Sequence, residues 1–179
     1  MTPAPALPSA FLRLIFAEFA GVLTGGKALD VACGKGRNAL FLSERGFDVV
    51  ALDIASVALE EGRRQAVAEG LKIEWRQVDL ERVPLAFSGL DLVINFNYLQ
   101  RSLIGPLKQA LKPGGHFIFE TYLIDQQAIG HPKNPAYLLR HNELLELFRD
   151  FRVLCYREGK FAAGEETAFR AGILAEKPK

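Results

Sequence analysis

ALDVACGKGRNALFLSERGFDVVALD, residues 28–53, is the stretch that decides the fold. An apolar run at 28–31 stops on a glycine-containing turn, and the apolar spacing after the turn is helical until Gly46. A second apolar, β-branched run at 47–52 ends on Asp53. This order predicts two parallel strands joined by one helix. Such a unit places the turn and Asp53 side by side at the carboxyl edge of a sheet.

The turn contains two glycines that suit a bound ligand. Gly34 and Gly36 have no Cβ, so the backbone can turn sharply and a ligand can lie against it. Backbone N–H groups at the start of the following helix point toward that position. Asp53 can accept hydrogen bonds from both hydroxyls of a ribose. The stretch predicts an adenine nucleoside ligand. The alternative is that the glycines only make a tight turn and Asp53 only caps a helix.

Asp30 distinguishes between classes of nucleoside ligand. This residue lies near the end of the first predicted strand, two residues before the turn. Strands that bind dinucleotides are usually apolar at this place, because a pyrophosphate lies over the turn and an acid would repel it. A carboxylate here favours a ligand that carries a positive charge.

The string DVACGKG at 30–36 resembles the first motif, D-x-G-x-G-x-G, of class I S-adenosylmethionine-dependent methyltransferases. Ala32 stands where the first glycine of that motif usually is. The resemblance extends over 26–177 and implies an α/β fold, a Rossmann-like, doubly wound, seven-stranded and mostly parallel sheet with one antiparallel strand. We expect a single methyltransferase domain at 9–179 after a flexible tail at 1–8.

The resemblance also implies which residues bind S-adenosylmethionine, whose product is S-adenosylhomocysteine. Asp30 would hold the methionine amino group and Asp53 the ribose, while Asp79 and Leu80, after the third predicted strand, would hold the adenine. The implied cofactor-binding residues are Asp30, Ala32, Cys33, Gly34, Gly36, Asn38, Asp53, Ile54, Asp79, Leu80 and Asn95.

A second group of residues is predicted on the side of the methyl acceptor. The fourth predicted strand, 90–96, is followed by polar residues at the same sheet edge as the turn. Its end resembles the N-P-P-Y motif of amino-group methyltransferases without the two prolines. The acceptor-side candidates are Asn95, Asn97, Tyr98, Arg101 and Tyr122. We interpret the long loop at 123–137 as a substrate lid.

Within class I, the chain resembles the tellurite-resistance methyltransferase group through CGKGRNALFL at 33–42 and NELL at 142–145. Members of that group have a His-Arg pair after the sixth strand, which handles an oxyanion acceptor. The corresponding residues 159–161 read GKF and contain no histidine. The resemblance is therefore extended to the cofactor site and not to tellurite as the substrate.

Composition narrows the classes of partner. The 179 residues carry a net charge of +1 with scattered basic residues, which gives no footprint for nucleic acid or an anionic membrane. The two cysteines are far apart and suggest neither a disulfide framework nor a metal site. Without a basic, apolar leader or a long apolar segment, we expect a cytoplasmic monomer or homodimer with no membrane or nucleic-acid partner.

The resulting hypothesis is methyl transfer by direct displacement to a small-molecule acceptor. A thiol, a metalloid oxyanion, an amine or a carboxylate all remain open as that acceptor. One alternative is an NAD(P)-dependent oxidoreductase that uses the same turn, although Asp30 and the lack of a Tyr-x-x-x-Lys pair speak against it. The other is a non-catalytic protein that binds S-adenosylmethionine.

Overall fold

A computed structural model of the protein describes residues 7–163 and 166–179. The predicted tail at 1–8 therefore lies mostly outside the described residues. Of that tail, only Leu7 and Pro8 can be placed, and both line a cavity at the carboxyl edge of the sheet.

The described chain alternates between strands and helices. The strands are β1 (Gly26–Val31), β2 (Phe47–Asp53), β3 (Ile73–Gln77), β4 (Leu90–Phe96), β5 (Leu111–Tyr122), β6 (Arg152–Ala163) and β7 (Glu166–Glu176). The α-helices are α1 (Ala10–Glu18), α2 (Arg37–Ser43), α3 (Ser56–Ala68), α4 (Arg101–Ala110) and α5 (Glu143–Leu147). Two 3₁₀ helices, Ile124–Ala128 and Pro135–Tyr137, lie between β5 and α5.

The seven strands form one sheet in the order β3-β2-β1-β4-β5-β7-β6. The pairs from β3 to β5 are parallel, whereas β7 runs antiparallel to both of its neighbours. This confirms the predicted α/β fold, including the single antiparallel strand. β3 lies at one outer edge of the sheet.

The central strands are apolar on both faces because helices cover both sides of the sheet. Ala28 and Leu92 face one buried cluster, to which α1 and α2 also contribute. Leu29 and Val93, their neighbours in sequence, face the opposite cluster, which includes side chains of α4 and α5. All four of these strand residues are fully buried. The fold is thus doubly wound, as predicted.

The strand order reverses between β1 and β4, which are adjacent in the sheet but not in sequence. The helices that follow these two strands pack on opposite faces, so the chain diverges at their carboxyl ends. Open α/β sheets bind ligands in the crevice that this divergence creates. The turn after β1 and the polar residues after β4 both lie at this point.

Candidate functional site

The turn after β1 has the tight backbone that the sequence predicts. Gly34 and Gly36 have φ angles of 57° and 76°, in the left-handed region that favours glycine. A Cβ on Gly36 would lie 2.3 Å from the ring of Trp75 in β3, so no larger residue fits there without displacing that ring. The turn is thereby pressed against the sheet and leads directly into the first turn of α2.

Asp53, at the end of β2, holds this turn in place. Its Oδ2 accepts a hydrogen bond from the N–H of Gly34 at 2.7 Å, and its Oδ1 accepts one from the N–H of Ala55 at 2.9 Å. Each oxygen of a carboxylate has two acceptor sites, so both oxygens can still accept further bonds. The turn and the cap at the start of α3 are thus joined through one partly exposed carboxylate.

Ala32 departs from the glycine motif, and its backbone shows the consequence. Its φ is 53°, although a left-handed conformation costs an L-residue with a Cβ about 1–2 kcal/mol. We therefore expect Ala32→Gly to raise the free energy of unfolding by about 1 kcal/mol, or a few degrees in Tm. Ala68→Gly is the matched control, because Ala68 is an exposed helical residue where glycine should destabilise. Thermal unfolding of both variants measures the difference. A lower Tm in Ala32→Gly would contradict the claim that the backbone of Ala32 is strained.

Asp30 is the most unusual polar side chain of the site. It is 1% exposed, and its Oδ2 is buried without a hydrogen-bond partner among the described residues. Burial raises the pKa of this carboxyl to about 8, and the charge of Asp53 acts in the same direction. The backbone of Ala39 and the charge of Arg37 act in the opposite direction but do not outweigh burial. A bound cation would relieve this arrangement by pairing with the free oxygen.

Three cavities follow one another along the carboxyl edge of the sheet. The distal cavity, of about 310 Å³, lies over the ends of β2 and β3. The central cavity, of about 350 Å³, lies over the end of β1. The arginine cavity, of about 280 Å³, lies beyond the central one, over β5, β6 and β7. Ala32 and Tyr98 line both the distal and the central cavity, and Arg37 and Asn97 line both the central and the arginine cavity.

The structure brings most of the predicted cofactor-binding residues to the first two cavities. Those on the distal cavity are Ala32, Asp53, Ile54, Asp79 and Leu80. Those on the central cavity are Asp30, Ala32, Cys33, Gly34 and Asn38. Gly36 packs against Trp75 behind the turn, and Asn95 lies within β4 between Val31 and Phe119, so neither lines these cavities.

Several side chains that line the distal and the central cavity have defined hydrogen-bond or ion-pair partners. Asp79 accepts a hydrogen bond from the N–H of Glu81 at 3.0 Å and pairs with Arg82 at 3.3 Å. Ile54 is 59% exposed, an apolar side chain presented to the distal cavity. On the central cavity, the Oδ1 of Asn38 accepts a hydrogen bond from the N–H of Ser9 and its Nδ2 donates one to the Ser9 hydroxyl. Asn38 thus ties the start of α1 to the wall of the central cavity.

Cys33 lines the central cavity but has no features of a nucleophile. Burial raises the pKa of its thiol well above the ordinary value, and the charges of Asp30 and Asp53 raise it further. The reactive form of cysteine is the thiolate, which this environment disfavours. Cys33 therefore acts as a small residue in the turn.

The acceptor-side candidates are only partly brought together. Asn97 lies between the central and the arginine cavity, and Tyr98 lies between the central and the distal cavity. Tyr122 does not line the arginine cavity but packs against Arg170, which does. The guanidinium of Arg170 lies 4.1 Å from the ring centroid of Tyr122. Asn95 is buried within the sheet, with its Oδ1 unpaired among the described residues. Of the acceptor-side candidates, Asn97 and Tyr98 therefore line the cavities directly, and Asn97 alone of them lines the arginine cavity.

Arg101 lies outside the three cavities and has a structural role instead. Its guanidinium makes a two-bond ion pair with Glu143, at 2.6 and 3.0 Å. It also donates to the backbone carbonyls of Ala136 and Leu138. These donors fasten the 123–142 segment to α4, and an acceptor-side role of Arg101 stays a prediction.

The Arg101–Glu143 pair should contribute strongly to stability. Glu143 is 2% exposed and also accepts a hydrogen bond from the N–H of Arg140. Burial opposes its ionisation, but the bonds from Arg101 and Arg140 outweigh burial and hold the pKa of this carboxyl below its usual value. We expect Glu143→Gln to lower the free energy of unfolding by about 3 kcal/mol at pH 7.

Glu146→Gln is the matched control for that variant, because Glu146 is in the same short helix but is exposed, and its one ion-pair partner among the described residues is the exposed Arg140. Exposed pairs contribute little, so we expect a change below about 0.5 kcal/mol. Urea unfolding measures both variants. Equal effects of the two substitutions would show that burial of Glu143 does not matter.

The loop at 123–137 differs from the predicted lid. Leu123 forms a bridge with Leu139, and both are buried. Gln126 is 6% exposed, accepts a hydrogen bond from the N–H of Phe169 and donates one to the carbonyl of His131. None of the described residues of the loop lines the three cavities. The loop is thus packed against β7 beside the site and does not cover it.

Apart from Asn97, the sequence analysis missed the polar residues that line the arginine cavity. They come from elements that are far apart in the chain, and no local spacing connects them. One signal was present, because Glu120 and Arg170 interrupt strands that are otherwise apolar. Charged residues within a buried strand usually have a partner or a function. The charged or amide residues that line this cavity are Arg13, Arg37, Asn97, Glu120, Arg157 and Arg170.

The geometry agrees with comparisons to known proteins. Residues 28–115 match a family model described as a methyltransferase domain. The seven-stranded sheet, with its one antiparallel strand, matches that of class I methyltransferases of known structure. The chain has the class I methyltransferase fold. The family match and the structural neighbours support S-adenosylmethionine as the cofactor.

Curated relatives are methyltransferases by name. The chain is 33% identical over 116 residues to the ubiquinone biosynthesis O-methyltransferase of Nitrosococcus oceani, a match that covers 62% of this chain and 49% of that protein. It is 35% identical over 111 residues to the protein of the same name from Acinetobacter baumannii, covering 58% and 47%. The chain thus spans about half the length of the curated relatives it matches.

Solved structures show the same fold. TehB from Haemophilus influenzae has a TM-score of 0.79 at 23% identity, with 90% of this chain and 60% of that chain covered. A methyltransferase from Methanosarcina mazei that depends on S-adenosylmethionine has a TM-score of 0.68 at 19% identity, covering 85% and 92%. At these identities the likeness establishes the fold.

Two other kinds of site have no candidate among the described residues. No helix in the described ranges is long and apolar enough to cross a membrane. Among residues 7–163 and 166–179, no three His, Cys, Asp or Glu side chains are grouped so that they could hold a metal ion.

Proposed function

We propose that the protein transfers the methyl group of S-adenosylmethionine to a small-molecule acceptor. One observation supports this most strongly: Asp30, a buried carboxyl with an unpaired oxygen, lines the central cavity beside a glycine turn. A pyrophosphate on that turn would bring negative charge to an acid that is already difficult to ionise. An ammonium group would supply the missing partner.

The row of cavities suggests how the cofactor lies. Asp53 and the exposed Ile54 would bind the ribose and one face of the adenine in the distal cavity, where Asp79 and Leu80 offer polar contacts to the ring. Asp30 would bind the methionine amino group in the central cavity. Because the two cavities share a wall, one extended molecule can occupy both.

The chain would contribute mainly placement to the chemistry. When bound, the cofactor supplies an activated methyl group and a neutral leaving group, so strong electrophilic assistance is not required. Asn97 stands between the central and the arginine cavity, where an acceptor would meet the methyl group. Its φ of 58° and the hydrogen bond from its N–H to the carbonyl of Glu120 fix its position. Holding an acceptor in line and excluding water there would supply most of the rate enhancement.

The names of the curated relatives support a small-molecule acceptor, since those proteins are O-methyltransferases of ubiquinone biosynthesis. The grouping with tellurite-resistance methyltransferases stays a prediction, because the likeness to TehB concerns the fold. The cytoplasmic location and the monomeric or homodimeric state also stay predictions.

Transfer of a labelled methyl group tests this proposal. The full chain is incubated with methyl-labelled S-adenosylmethionine and a panel that contains thiols, catechols, amines and carboxylates, and labelled products are identified by mass spectrometry. We expect transfer to at least one class at about tenfold or more above the rate without protein. Tight binding of S-adenosylhomocysteine without transfer to any class would instead support a non-catalytic binding protein.

A further inference from the structure

The arginine cavity lies where the second substrate of a methyl transfer would bind. It shares Arg37 and Asn97 with the central cavity, so the two spaces are neighbours. Its lining includes Glu120 near the carboxyl end of β5 and residues of β6 and β7, on the side away from the distal cavity. If the distal and central cavities bind the cofactor, this third cavity is left for the acceptor.

Arg157 and Glu120 meet across a strand because the residue between them is a glycine. Gly172 of β7 pairs with Glu120 on one side and with Arg157 on the other. The guanidinium of Arg157 reaches Glu120 at 2.6 Å. A Cβ on Gly172 would lie 2.9 Å from the ring of Phe11, which packs over this point and lies 4.6 Å from the Arg157 guanidinium. The local sequence thus provides room for a buried charged pair.

Arg170 is the most deeply buried arginine of the cavity, at 9% exposure. Its guanidinium lies over Tyr122, donates to the Oδ1 of Asn97 at 2.5 Å and approaches Glu120 at 3.7 Å. The Nε atoms of Arg157 and Arg170 are buried without hydrogen-bond partners among the described residues. Both guanidinium groups are therefore fixed in orientation while part of their donor capacity is unused.

Charge in the cavity is unbalanced. Four arginines line it, and the described lining residues contain one carboxylate, that of Glu120. Glu120 can neutralise one of the two arginines that approach it. Arg13 and Arg37 make no ion pair with any carboxylate within the described ranges. The rest of the lining is apolar and includes Leu7, Pro8, Ala10 and Phe161.

We propose that the arginine cavity binds a methyl acceptor through an anionic oxygen group, a carboxylate or a phosphate, attached to an apolar body. This inference rests on the proposed function. Arginine is the side chain that best matches carboxylate and phosphate oxygens, through paired hydrogen bonds in a fixed plane. With its anionic group held by Arg157 and Arg170, the acceptor would present its nucleophilic atom past Asn97 toward the central cavity. The arginines are positioning residues and take no part in bond making.

Binding of a matched pair of small probes tests this. The full chain is saturated with S-adenosylhomocysteine and titrated with benzoate and with benzamide, which has the same ring but no charge. We expect benzoate to bind at least about tenfold more tightly than benzamide. A parallel titration with phenyl phosphate shows which anionic group is preferred. Equal affinities for all three probes, or no binding of either anion, would overturn the proposal.

Arginine variants show whether benzoate binds in the arginine cavity. Arg170→Gln should weaken benzoate binding by about tenfold or more, and Arg170→Lys by less, because lysine keeps the charge. Arg152→Gln is the matched control, the same change at an arginine outside the cavity whose side chain is 76% exposed. Arg13→Gln, at an exposed residue of α1, provides a variant that should fold normally and still weaken binding. Unchanged affinity in both Arg170→Gln and Arg13→Gln would overturn the proposal that the arginines of this cavity hold the anion.

The two proposals fail separately in this experiment. If the protein does not bind S-adenosylhomocysteine, the proposed function fails whatever benzoate does. If S-adenosylhomocysteine binds to the wild type and to every arginine variant within about threefold, but no variant affects the anion, only the acceptor inference fails.

Discussion

Replacing Asp53 with alanine is expected to weaken the binding of S-adenosylhomocysteine by about 100-fold or more. Each charge-assisted hydrogen bond contributes about 1.5–3 kcal/mol, and this carboxylate can accept one from each ribose hydroxyl. The same carboxylate accepts the N–H groups of Gly34 and Ala55, so the variant also loosens the turn that the ligand lies against. Calorimetric titration at pH 7.5 measures the loss.

Two further variants separate ligand contact from general damage. Asp48→Ala is the matched control, because Asp48 is an exposed aspartate of the same strand, and it should bind like the wild type. Asp53→Asn keeps an oxygen that can accept from the turn but removes the charge, so we expect an intermediate loss of about tenfold. Wild-type affinity in Asp53→Ala would refute the assignment of the ribose.

Replacing Asp30 with asparagine is expected to separate stability from binding. At pH 8 the variant should be more stable than the wild type by on the order of 2 kcal/mol, because a buried acid that is difficult to ionise is removed. The same variant should bind S-adenosylhomocysteine about 10- to 100-fold more weakly, because the amino group loses its carboxylate partner. Opposite effects on stability and affinity are the signature of a strained functional group.

The pH dependence of stability follows from the raised pKa of Asp30. The ordinary pKa is 3.8 and the value in the folded protein is about 8. Between these values the folded protein holds a proton that the unfolded chain has released. The contribution of Asp30 to stability therefore falls as the pH rises through this range. Asp30→Asn should lack this contribution, and Asp48→Asn should keep it, as urea unfolding at several pH values can show.

Cofactor binding should depend on pH in the opposite direction. An ammonium group binds the ionised form of Asp30, so binding releases a proton below pH 8. The affinity for S-adenosylhomocysteine should rise by up to about tenfold between pH 6 and pH 7, since the ionised fraction rises by that factor. This rise should be absent in Asp30→Asn. An equal rise in both proteins would exclude Asp30 as its source.

The sequence predicted the part of the site whose signals are local. The glycine turn, Asp30 before it and Asp53 after the next strand lie within one βαβ unit, so spacing alone places them together. The sequence showed that Ala32 replaces a motif glycine, and the structure adds that its backbone is left-handed. The seven-stranded, mostly parallel sheet with one antiparallel strand followed from the family resemblance, and its strand order comes from the structure.

The rest of the site depends on contacts between distant residues. Arg157 and Glu120 meet only because Gly172 separates them in the sheet, which no periodicity reveals. Arg101 follows the polar end of β4 and was predicted to face the acceptor, but Glu143 binds it from a helix 42 residues later. The 123–137 loop was predicted as a lid because it is long and contains two prolines. Leu123 and Gln126, both buried, instead attach it to Phe169 of β7.

The central claim is that the glycine turn and Asp30 receive S-adenosylmethionine or its product, whose ammonium group pairs with Asp30, and not a pyrophosphate. Calorimetric titration of the full chain with S-adenosylhomocysteine and with NAD, under the same conditions, tests it most directly, because both ligands would use Asp53 but only one suits Asp30. We predict one S-adenosylhomocysteine per chain, bound at least about 100-fold more tightly than NAD, a difference of about 2.8 kcal/mol. Tighter binding of NAD, lost in Asp53→Ala but not in Asp48→Ala, would contradict the account.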